Sequence, residues 1–365
     1  MRIFFFTAIS LIVQVYSFQP FLRNWQCIGI QDKIDFSKPY NAKIGNLPLV
    51  VWQTRKYPHP EYTATVNICK HMGSKLNNAK ITDNGCLKCP YHGYEYSSNE
   101  NFGQVVAHQG KLFWAYKPVQ PIPYSVPFFY SPDYETSTFE MTMPCSLQDS
   151  AYNTMDLRHP EYVHGGIFGF GNSIPPTNVR HYIHKSDHIR TNSEYVGVSF
   201  EYASTSLATK QFNAKTSRNY HEYHYPSFSW SKVSIRAPTN KNNRNDQDQD
   251  KNEHEDDDKN LIIGVHLLPI APKQTKWYIT VCHNYFKSEL EKYLMVGLAK
   301  TILTQDFTQM QMQAPENKLK QAVMFNKTFN DEDPILWLKD VFTNHYKYPD
   351  INECSSLYKG NQGSK

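Results

Sequence analysis

The second half of the chain alternates between polar and apolar positions with the period of a β-strand. From about 178 to 236, polar residues alternate with aromatic or β-branched ones, most clearly over 195–202 and 228–235. Side chains that alternate in this way give a strand one buried and one solvated face, which is typical of antiparallel sheets. The pattern continues over 261–269 and 276–282. The sequence therefore predicts an antiparallel sheet in this half.

Short apolar runs in the first third predict small strands joined by tight turns. Residues 47–52 and 111–116 each read as a buried strand, and glycine and proline punctuate the stretch between them. Residues 126–143 are expected to form a linker and the first strand of a second domain. Residues 146–164 have helical character that breaks at Gly165-Gly166.

Two helices are predicted near the end of the chain. Residues 288–313 form the longest helical pattern, and Pro315 is expected to end it because proline cannot continue a helix. A second amphipathic helix is predicted over 333–344. In the longer pattern the apolar residues recur near every 3.6 positions, as expected for one apolar stripe. They are Leu290, Tyr293, Leu294, Leu298, Ile302 and Leu303.

Two segments differ in composition from these domains. Residues 240–260 are dense in Asn, Asp, Gln, Lys and Glu, so they are predicted to form a disordered surface loop rather than a core. Residues 1–18 read as a targeting peptide, because Arg2 precedes an apolar run over 3–13 that is too short to span a bilayer comfortably. No later stretch is apolar enough for a transmembrane helix, so at most peripheral membrane contact is expected.

The end of the targeting peptide indicates a destination. Ser17 is a small residue that precedes Phe18 and offers a cleavage point. A signal-like peptide cut just before a phenylalanine resembles the two-part presequence of algae with complex plastids, which implies a plastid location. An ordinary secretory signal fits the same residues, so the secretory pathway and the cytoplasm stay open as alternatives.

Composition and charge narrow the classes of function. The chain has 365 residues, of which 40% are hydrophobic, enough for cores in two or three domains. Its net charge of +4 is too small and too diffuse for a nucleic-acid partner. The seven cysteines are odd in number and irregularly spaced. That usage is atypical of a disulfide scaffold and indicates that some thiols bind metal.

Two short motifs pair a cysteine with a histidine. Cys69-Lys-His71 is followed, after seventeen residues, by Cys89-Pro-Tyr-His92. Each motif offers one thiolate and one imidazole, which suits a two-iron cluster whose irons are held by cysteines on one side and histidines on the other. Zinc is the main alternative, since two cysteines and two histidines are a common zinc set.

At all four positions this pattern resembles the Rieske iron-sulfur family. The resemblance implies that Cys69, His71, Cys89 and His92 hold a [2Fe-2S] cluster. Rieske proteins of respiratory and photosynthetic complexes carry an extra cysteine in each loop, where this chain has Ser74 and Tyr91. The chain is therefore more similar to the oxygenase branch of the family.

A second group of metal-binding residue types lies downstream. His159 and His164 follow Asp156 closely, and two histidines with a carboxylate suit a non-haem Fe(II) with open positions for O2. The run from Asn153 to His164 resembles the catalytic iron motif of Rieske oxygenases. The resemblance implies that both histidines bind iron and that Asp156 bridges to a cluster histidine, with Asn153 nearby. Asp306, on the late helix, is the predicted third ligand, and Asp149 is a weaker candidate.

The resemblance implies an α+β fold in two domains. An all-β Rieske domain is expected over 19–125. A catalytic domain over 126–350 is expected to wrap an antiparallel sheet around a long C-terminal helix, the helix-grip or START-like arrangement, and to be followed by a tail over 351–365. The cluster is expected to pass electrons from a ferredoxin or flavin reductase to the mononuclear Fe(II), which inserts oxygen from O2 into an apolar small molecule. Family members commonly work as a ring of three chains.

The motif around the second site narrows the resemblance further. The run from Asp156 to Gly169, and Gln305-Asp306 followed by Gln313, resemble the pheophorbide a oxygenase and chlorophyllide a oxygenase group. The resemblance implies a chlorophyll-type tetrapyrrole as substrate and a role in chlorophyll catabolism. Two alternatives stay open: a Rieske monooxygenase acting on a sterol, an aromatic or a quaternary amine, and a non-catalytic Rieske electron carrier.

Overall fold

The computed structural model describes eight stretches of the chain: residues 21–55, 58–157, 159–164, 177–184, 195–203, 216–235, 258–313 and 334–346. Several sequence predictions lie outside these residues. They are the targeting peptide, the Gly165-Gly166 break, Pro315, the tail and all but the last three residues of the polar insertion. Those last three residues differ from the prediction, because Asp258 and Asn260 are buried and the strand that begins at Lys259 includes Asn260.

The strands form two groups. The first nine belong to the N-terminal domain: β1 Gln26–Ile30, β2 Tyr40–Ile44, β3 Leu47–Arg55, β4 Glu61–Val66, β5 Lys80–Ile81, β6 Leu87–Lys88, β7 Glu95–Tyr96, β8 Gln104–His108 and β9 Lys111–Ala115. The other seven are β10 Glu135–Met143, β11 Thr177–His184, β12 Tyr195–Ala203, β13 Thr216–His224, β14 Phe228–Ile235, β15 Lys259–Ala271 and β16 Gln274–His283.

Three small antiparallel sheets build the N-terminal domain, in the orders β1-β9-β8, β2-β3-β4 and β5-β6-β7. The third sheet is made of two-residue strands, so turns rather than long ladders hold it. One of these turns needs glycine: Gly85 has φ +74°, and an added Cβ would overlap the carbonyl oxygen of Thr54. The indole of Trp52 donates to the carbonyl of Gly85 at 3.0 Å and fixes this sheet to β3.

The second domain is built on one seven-stranded antiparallel sheet, in the order β10-β16-β15-β14-β13-β12-β11. Strands β11 to β16 pair with their neighbours in sequence, whereas β10 pairs with β16, at the other end of the series. The α+β class and the antiparallel sheet predicted from alternation are confirmed. The observed strands are a few residues longer than the predicted runs, except β14, whose bounds agree with the prediction.

The two faces of this sheet contact different parts of the molecule. On β16, the indole of Trp277 donates to Ser150 on the helical side at 3.0 Å. The next residue, Tyr278, points to the opposite face and donates to the carbonyl of Ile28, in β1, at 2.9 Å. Because neighbours in a strand point to opposite faces, one strand holds the helices on one side and the N-terminal domain on the other.

In the described part of the second domain four helices accompany the sheet: α1 Leu147–Met155, α2 His159–Val163, α3 Glu289–Gln311 and α4 Pro334–His345. The last two confirm the helices predicted near the end of the chain. Helix α1 contacts α4 and the middle strands, and α3 packs near β10. No helix in the described part of the chain is long and apolar enough to cross a lipid bilayer.

The predicted apolar stripe of α3 is only partly buried. The Ser288 hydroxyl accepts the backbone N–H of Glu291, and the Glu291 carboxylate accepts the backbone N–H of Ser288, so a capping box begins the helix. The buried side chains are Leu303, Asp306 and Met310, which lie three and four positions apart. The first turns of the stripe are exposed: Leu290 at 68%, Tyr293 at 77% and Leu294 at 59%. Of the six predicted stripe residues, one is buried, Ile302 is half-buried and four are exposed, so the predicted stripe is not the buried face of the helix.

The contact between the two domains buries one lysine. Lys111, in β9, is only 1% exposed. Its ammonium lies 5.4 Å from the centre of the Phe129 ring and 3.5 Å from the carbonyl oxygen of Gln109. Among the residues that the structure describes, no carboxylate pairs with it. Burial lowers the pKa of Lys111 to about 8, although the nearby Cys27 opposes the shift.

Candidate functional site

The two Cys-x-His and Cys-x-x-His loops have the same backbone hydrogen-bonding pattern. In each loop the cysteine N–H donates to the carbonyl five residues later, and a glycine four residues later donates back to the cysteine carbonyl. Both glycines have φ +73°, the left-handed region that favours glycine. The four bonds are Cys69 N to Ser74 O at 2.7 Å, Gly73 N to Cys69 O at 2.7 Å, Cys89 N to Tyr94 O at 2.8 Å and Gly93 N to Cys89 O at 3.1 Å.

The matched loops bring the four predicted cluster residues together at the tip of the domain. Cys69 and Cys89 are 2% and 3% exposed, and their thiols lie within hydrogen-bonding reach of each other. The rings of His71 and His92 meet edge to face with centroids 4.9 Å apart, and both side chains are exposed. Two buried thiols and two outward imidazoles match the asymmetric ligand set of a Rieske cluster.

Hydrogen bonds favour the thiolate of one of these cysteines. Burial acts to raise the pKa of Cys69, but the hydroxyl of Tyr96 and the backbone N–H of His71 donate to it and lower the pKa overall. The same hydroxyl accepts the backbone N–H of Lys70 at 2.7 Å. Thiolates are the form in which cysteine binds metal, so the loop is prepared for a ligand role.

The zinc alternative for these loops is disfavoured by their spacing. A single zinc ion needs its ligand atoms gathered in one tetrahedron. Within the described ranges, the one group of three or more such side chains close enough to share an ion is His159, His164 and Asp306. The four loop residues do not form such a group, which favours a two-iron centre over a single ion.

The second predicted site is assembled from distant parts of the chain. His159 begins the short helix α2 and His164 follows its last residue, while Asp306 comes from α3. Their ligand atoms lie within 4.8 Å of one another. The Nε2 atoms of His164 and His159 are 3.3 Å and 3.6 Å from Oδ1 of Asp306. The chain thus brings together the three predicted iron-binding residues.

Hydrogen bonds fix which atoms of this group face one another. Nδ1 of His159 is 2.8 Å from the backbone oxygen of Asp156. A carbonyl can only accept, so Nδ1 carries the proton and Nε2 presents a lone pair to Asp306. Burial lowers the pKa of His159, although the charges of Asp306 and Asp156 oppose this. A neutral imidazole facing a carboxylate without a proton between them fits a bound cation.

The group is buried and its carboxylate is held from the side. His164 is 2% exposed and Asp306 is 4% exposed, so a bound ion would be shielded from bulk water. The amide of Asn153, on α1, donates to Oδ1 of Asp306 at 3.3 Å. Asn153 therefore lies within the site, as predicted, and its contact is with the third predicted ligand.

The two remaining aspartates have different surroundings. The carboxylate of Asp156 accepts the backbone N–H of His159 at 3.3 Å, and its backbone carbonyl contacts the His159 ring. Asp149 accepts the hydroxyl of Ser146 at 2.8 Å at the start of α1 and is not part of the ion-sized group. Asp149 is thereby set aside as a competitor for Asp306.

Two residues near the site were not assigned roles from the sequence. His221, on β13, interacts with Ser231 Oγ at 3.2 Å and with the backbone of Thr154. Burial, followed by the proximity of His159, lowers its pKa to about 4, so this ring is neutral. Gln305 lies 3.0 Å from Nδ1 of His164. His221 and Gln305 lie near candidate ligands and are not themselves predicted ligands. No sequence pattern marks a polar residue of that kind, so the sequence alone could not reveal either role.

Comparison with known proteins supports a Rieske domain around the first site. The model of the Rieske [2Fe-2S] domain matches residues 24–112, which include the four loop residues. The oxygenase component of dicamba O-demethylase from Stenotrophomonas maltophilia is 28% identical over 40% of this chain and 48% of its own length. Chloroplastic pheophorbide a oxygenase from Oryza sativa subsp. japonica is 24% identical over 38% of this chain and 28% of its own. The matches thus span about half of the first relative and a quarter of the second.

Solved structures share the fold over nearly the whole chain. Dicamba monooxygenase bound to dicamba has a TM-score of 0.65 at 16% identity and covers 94% of this chain and 99% of its own. NdmA of Pseudomonas putida CBB5 with caffeine has a TM-score of 0.65 at 14% identity, covering 94% of this chain and 96% of its own. A Rieske domain over residues 24–112, these relatives and the shared fold together support a Rieske non-haem iron oxygenase.

Proposed function

We propose that this chain is an O2-dependent oxidoreductase that takes electrons from a protein donor and inserts oxygen into an organic substrate. One observation carries the proposal: the same chain holds a buried His-His-Asp group and, in a separate domain, a pair of matched loops with two thiols and two imidazoles. An electron carrier has no need of the second group. The names of the relatives, an O-demethylase and a pheophorbide oxygenase, support the same reaction class.

The loops supply the residues that would hold the cluster. Cys69 and Cys89 would bind one iron through buried sulfurs, and His71 and His92 would bind the other through exposed rings. Because the imidazoles replace charged thiolates, a cluster held in this way has a higher reduction potential than one held by four cysteines. The exposed rings leave their N–H groups open to a neighbouring protein.

The buried group would hold Fe(II) through His159, His164 and Asp306. When bound, an iron with two histidines, one carboxylate and open positions activates O2. The residues around it orient these ligands: the backbone carbonyl of Asp156 fixes the His159 ring and the amide of Asn153 fixes the carboxylate. We further propose that the Asp156 carboxylate faces the cluster histidine of another chain.

Protein partners follow from the exposed tip of the cluster loops. Met72 is 66% exposed and Tyr91 is 64% exposed, beside the outward rings of His71 and His92. Apolar groups around a redox centre suit transient protein contacts. We propose that this tip meets a ferredoxin or flavin reductase and, in a ring of three chains, the catalytic domain of a neighbour.

The proposed substrate is a chlorophyll-type tetrapyrrole. The support is the relationship to pheophorbide a oxygenase and chlorophyllide a oxygenase, each 24% identical over about a third of this chain. Both relatives are chloroplastic, which favours a plastid location for this chain. The relationship to dicamba O-demethylase keeps a smaller aromatic as the second candidate.

Iron content tests the reaction class. The anaerobically purified chain is expected to contain three irons (two in the cluster and one in the buried group) and two acid-labile sulfides. The variants His159→Ala and His164→Ala are expected to lose one iron and keep the visible spectrum of the cluster. His59→Ala, at an exposed site, is the matched control and keeps all three. Two irons in the wild-type chain would mean a carrier and overturn the proposal.

Product analysis tests the substrate. The reduced chain is incubated under 18O2 with a generic ferredoxin system and either pheophorbide a, chlorophyllide a, or a panel of small aromatic ethers. Incorporation of 18O into a tetrapyrrole is expected. Oxidation of the small aromatic ethers alone, seen as 18O on the ring or as release of a phenol with formaldehyde, would overturn the substrate proposal while leaving the reaction class intact.

A further inference from the structure

A glutamine lies next to the predicted carboxylate ligand and touches a different ligand. Gln305 precedes Asp306 on α3, and its Oε1 is 3.0 Å from Nδ1 of His164. His164 comes from the segment that follows α2, 141 residues earlier in the chain. One helix therefore carries a candidate ligand and the hydrogen-bond partner of another.

We propose that Gln305 is the positioning residue for His164. Its amide oxygen accepts the Nδ1 proton, which keeps Nε2 unprotonated and aimed at Oδ1 of Asp306, 3.3 Å away. The proposal rests on the proposed function only in taking His159, His164 and Asp306 as a metal site. Metal-binding histidines usually donate their second ring N–H in this way, and removing the acceptor typically weakens metal binding 10–100-fold.

The two histidines of the group obtain this support differently. His159 donates to the backbone carbonyl of Asp156, which no side-chain substitution removes. The Nδ1 of His164 is bonded instead to the side chain of Gln305, so a substitution at Gln305 can change the orientation of the His164 ring. His164 is also the more deeply buried of the two, with 3% of its side chain exposed against 18% for His159. Loss of the acceptor would remove this hydrogen bond from a buried ring, which is unfavourable.

The choice of an amide also sets the charge of the site. A glutamine accepts the proton of His164 without adding charge, whereas Asp306 supplies a negative charge that both rings contact. A glutamate would keep the acceptor and add a second negative charge beside the ring, which increases its basicity. Glutamine and glutamate at position 305 therefore share the acceptor oxygen and differ in charge, whereas leucine has neither the acceptor nor the charge.

Cobalt(II) binding tests the role without relying on turnover. The mononuclear iron is removed with a chelator, the cluster is kept oxidised, and Co(II) is added anaerobically and measured by equilibrium dialysis. The high-spin Co(II) signal in electron paramagnetic resonance reports the ligand field, because the oxidised cluster is diamagnetic. Gln305→Leu is expected to weaken Co(II) binding about 10–100-fold. Gln305→Glu is expected to bind Co(II) at least as tightly as the wild-type chain, with a changed signal.

The control is Gln309→Leu, one turn further along the same helix at an exposed position. It is expected to bind Co(II) as the wild-type chain does. Equal binding by wild type and Gln305→Leu would overturn the role of Gln305 while leaving the metal site intact. If the wild-type chain bound no Co(II), the metal site and this role would both be overturned. Should Gln305→Leu fail to fold, weaker binding by Gln305→Glu than by wild type would overturn the proposal, and binding at least as tight would support it.

Discussion

Replacing the buried lysine at the domain contact should stabilise the protein. Lys111 is 1% exposed, and burial lowers its pKa from 10.5 to about 8. Each tenfold change in proton affinity corresponds to about 1.4 kcal/mol. Keeping the ammonium charged in the folded state therefore costs about 3 kcal/mol at pH 7, where the folded and unfolded chains are both protonated. Lys111→Met removes that cost and keeps a long apolar side chain in place.

The effect should have a defined pH dependence. Between pH 8 and 10.5 the unfolded chain binds the proton that the folded chain has lost, so wild-type stability rises with pH. The advantage of Lys111→Met is thus complete below pH 8 and disappears by about pH 10.5. The neighbouring groups do not titrate in this window: burial lowers the pKa of His108 and His266 and raises that of Cys27 to about 12.

Urea unfolding of the intact protein, followed by circular dichroism from pH 6 to 10.5, measures the difference. Lys75→Met, at an exposed site, is the matched control and should shift the midpoint little at any pH. A variant at Lys111 that was less stable than wild type at pH 7 would refute the reasoning. So would an advantage that stayed constant across the alkaline range, because it would come from apolar packing rather than from the buried charge.

Two further predictions concern the N-terminal domain. Tyr96→Phe removes the hydroxyl that donates to the Cys69 sulfur. Since one such bond contributes about 1 kcal/mol, the reduction potential of the cluster should fall by about 40 mV in a spectroelectrochemical titration. An unchanged potential would contradict the assigned contact. Gly85→Ala places a Cβ against the Thr54 carbonyl in a residue whose φ is +74°. The free energy of unfolding should fall by at least about 1–2 kcal/mol, so the melting temperature of the domain should drop by several degrees. An unchanged melting temperature would mean that the turn relaxes easily.

Much of the fold was predictable from the sequence because its signals are local. Alternation predicted β12, β14, β15 and β16 within a few residues, and helical spacing predicted α3. The pairing of β10 with β16 was not predictable, since no local pattern records which strands meet across more than a hundred residues. Nor does helical spacing tell which face of a helix meets a core, and four of the six stripe residues on α3 are exposed.

The candidate site was predictable as a set of residue types but not as a network. Spacing selected the two histidines after Asp156, and family resemblance selected Asp306 from many acidic residues. The contacts of Asn153 with Asp306 and of Gln305 with His164 join residues more than 140 positions apart. Amide side chains occur everywhere on protein surfaces, so only the folded chain identifies the two that serve the site.

Helix α3 places Asp306 between Leu303 and Met310 on its one buried stripe. Leu303 and Met310, which anchor the helix in the core, and the proposed carboxylate ligand therefore move together. A ligand that binds only the folded chain adds about 2.7 kcal/mol of stability at a hundred times its dissociation constant. We therefore expect chains depleted of iron to be degraded sooner in the cell, so that the iron supply governs the amount of this protein as well as its loading.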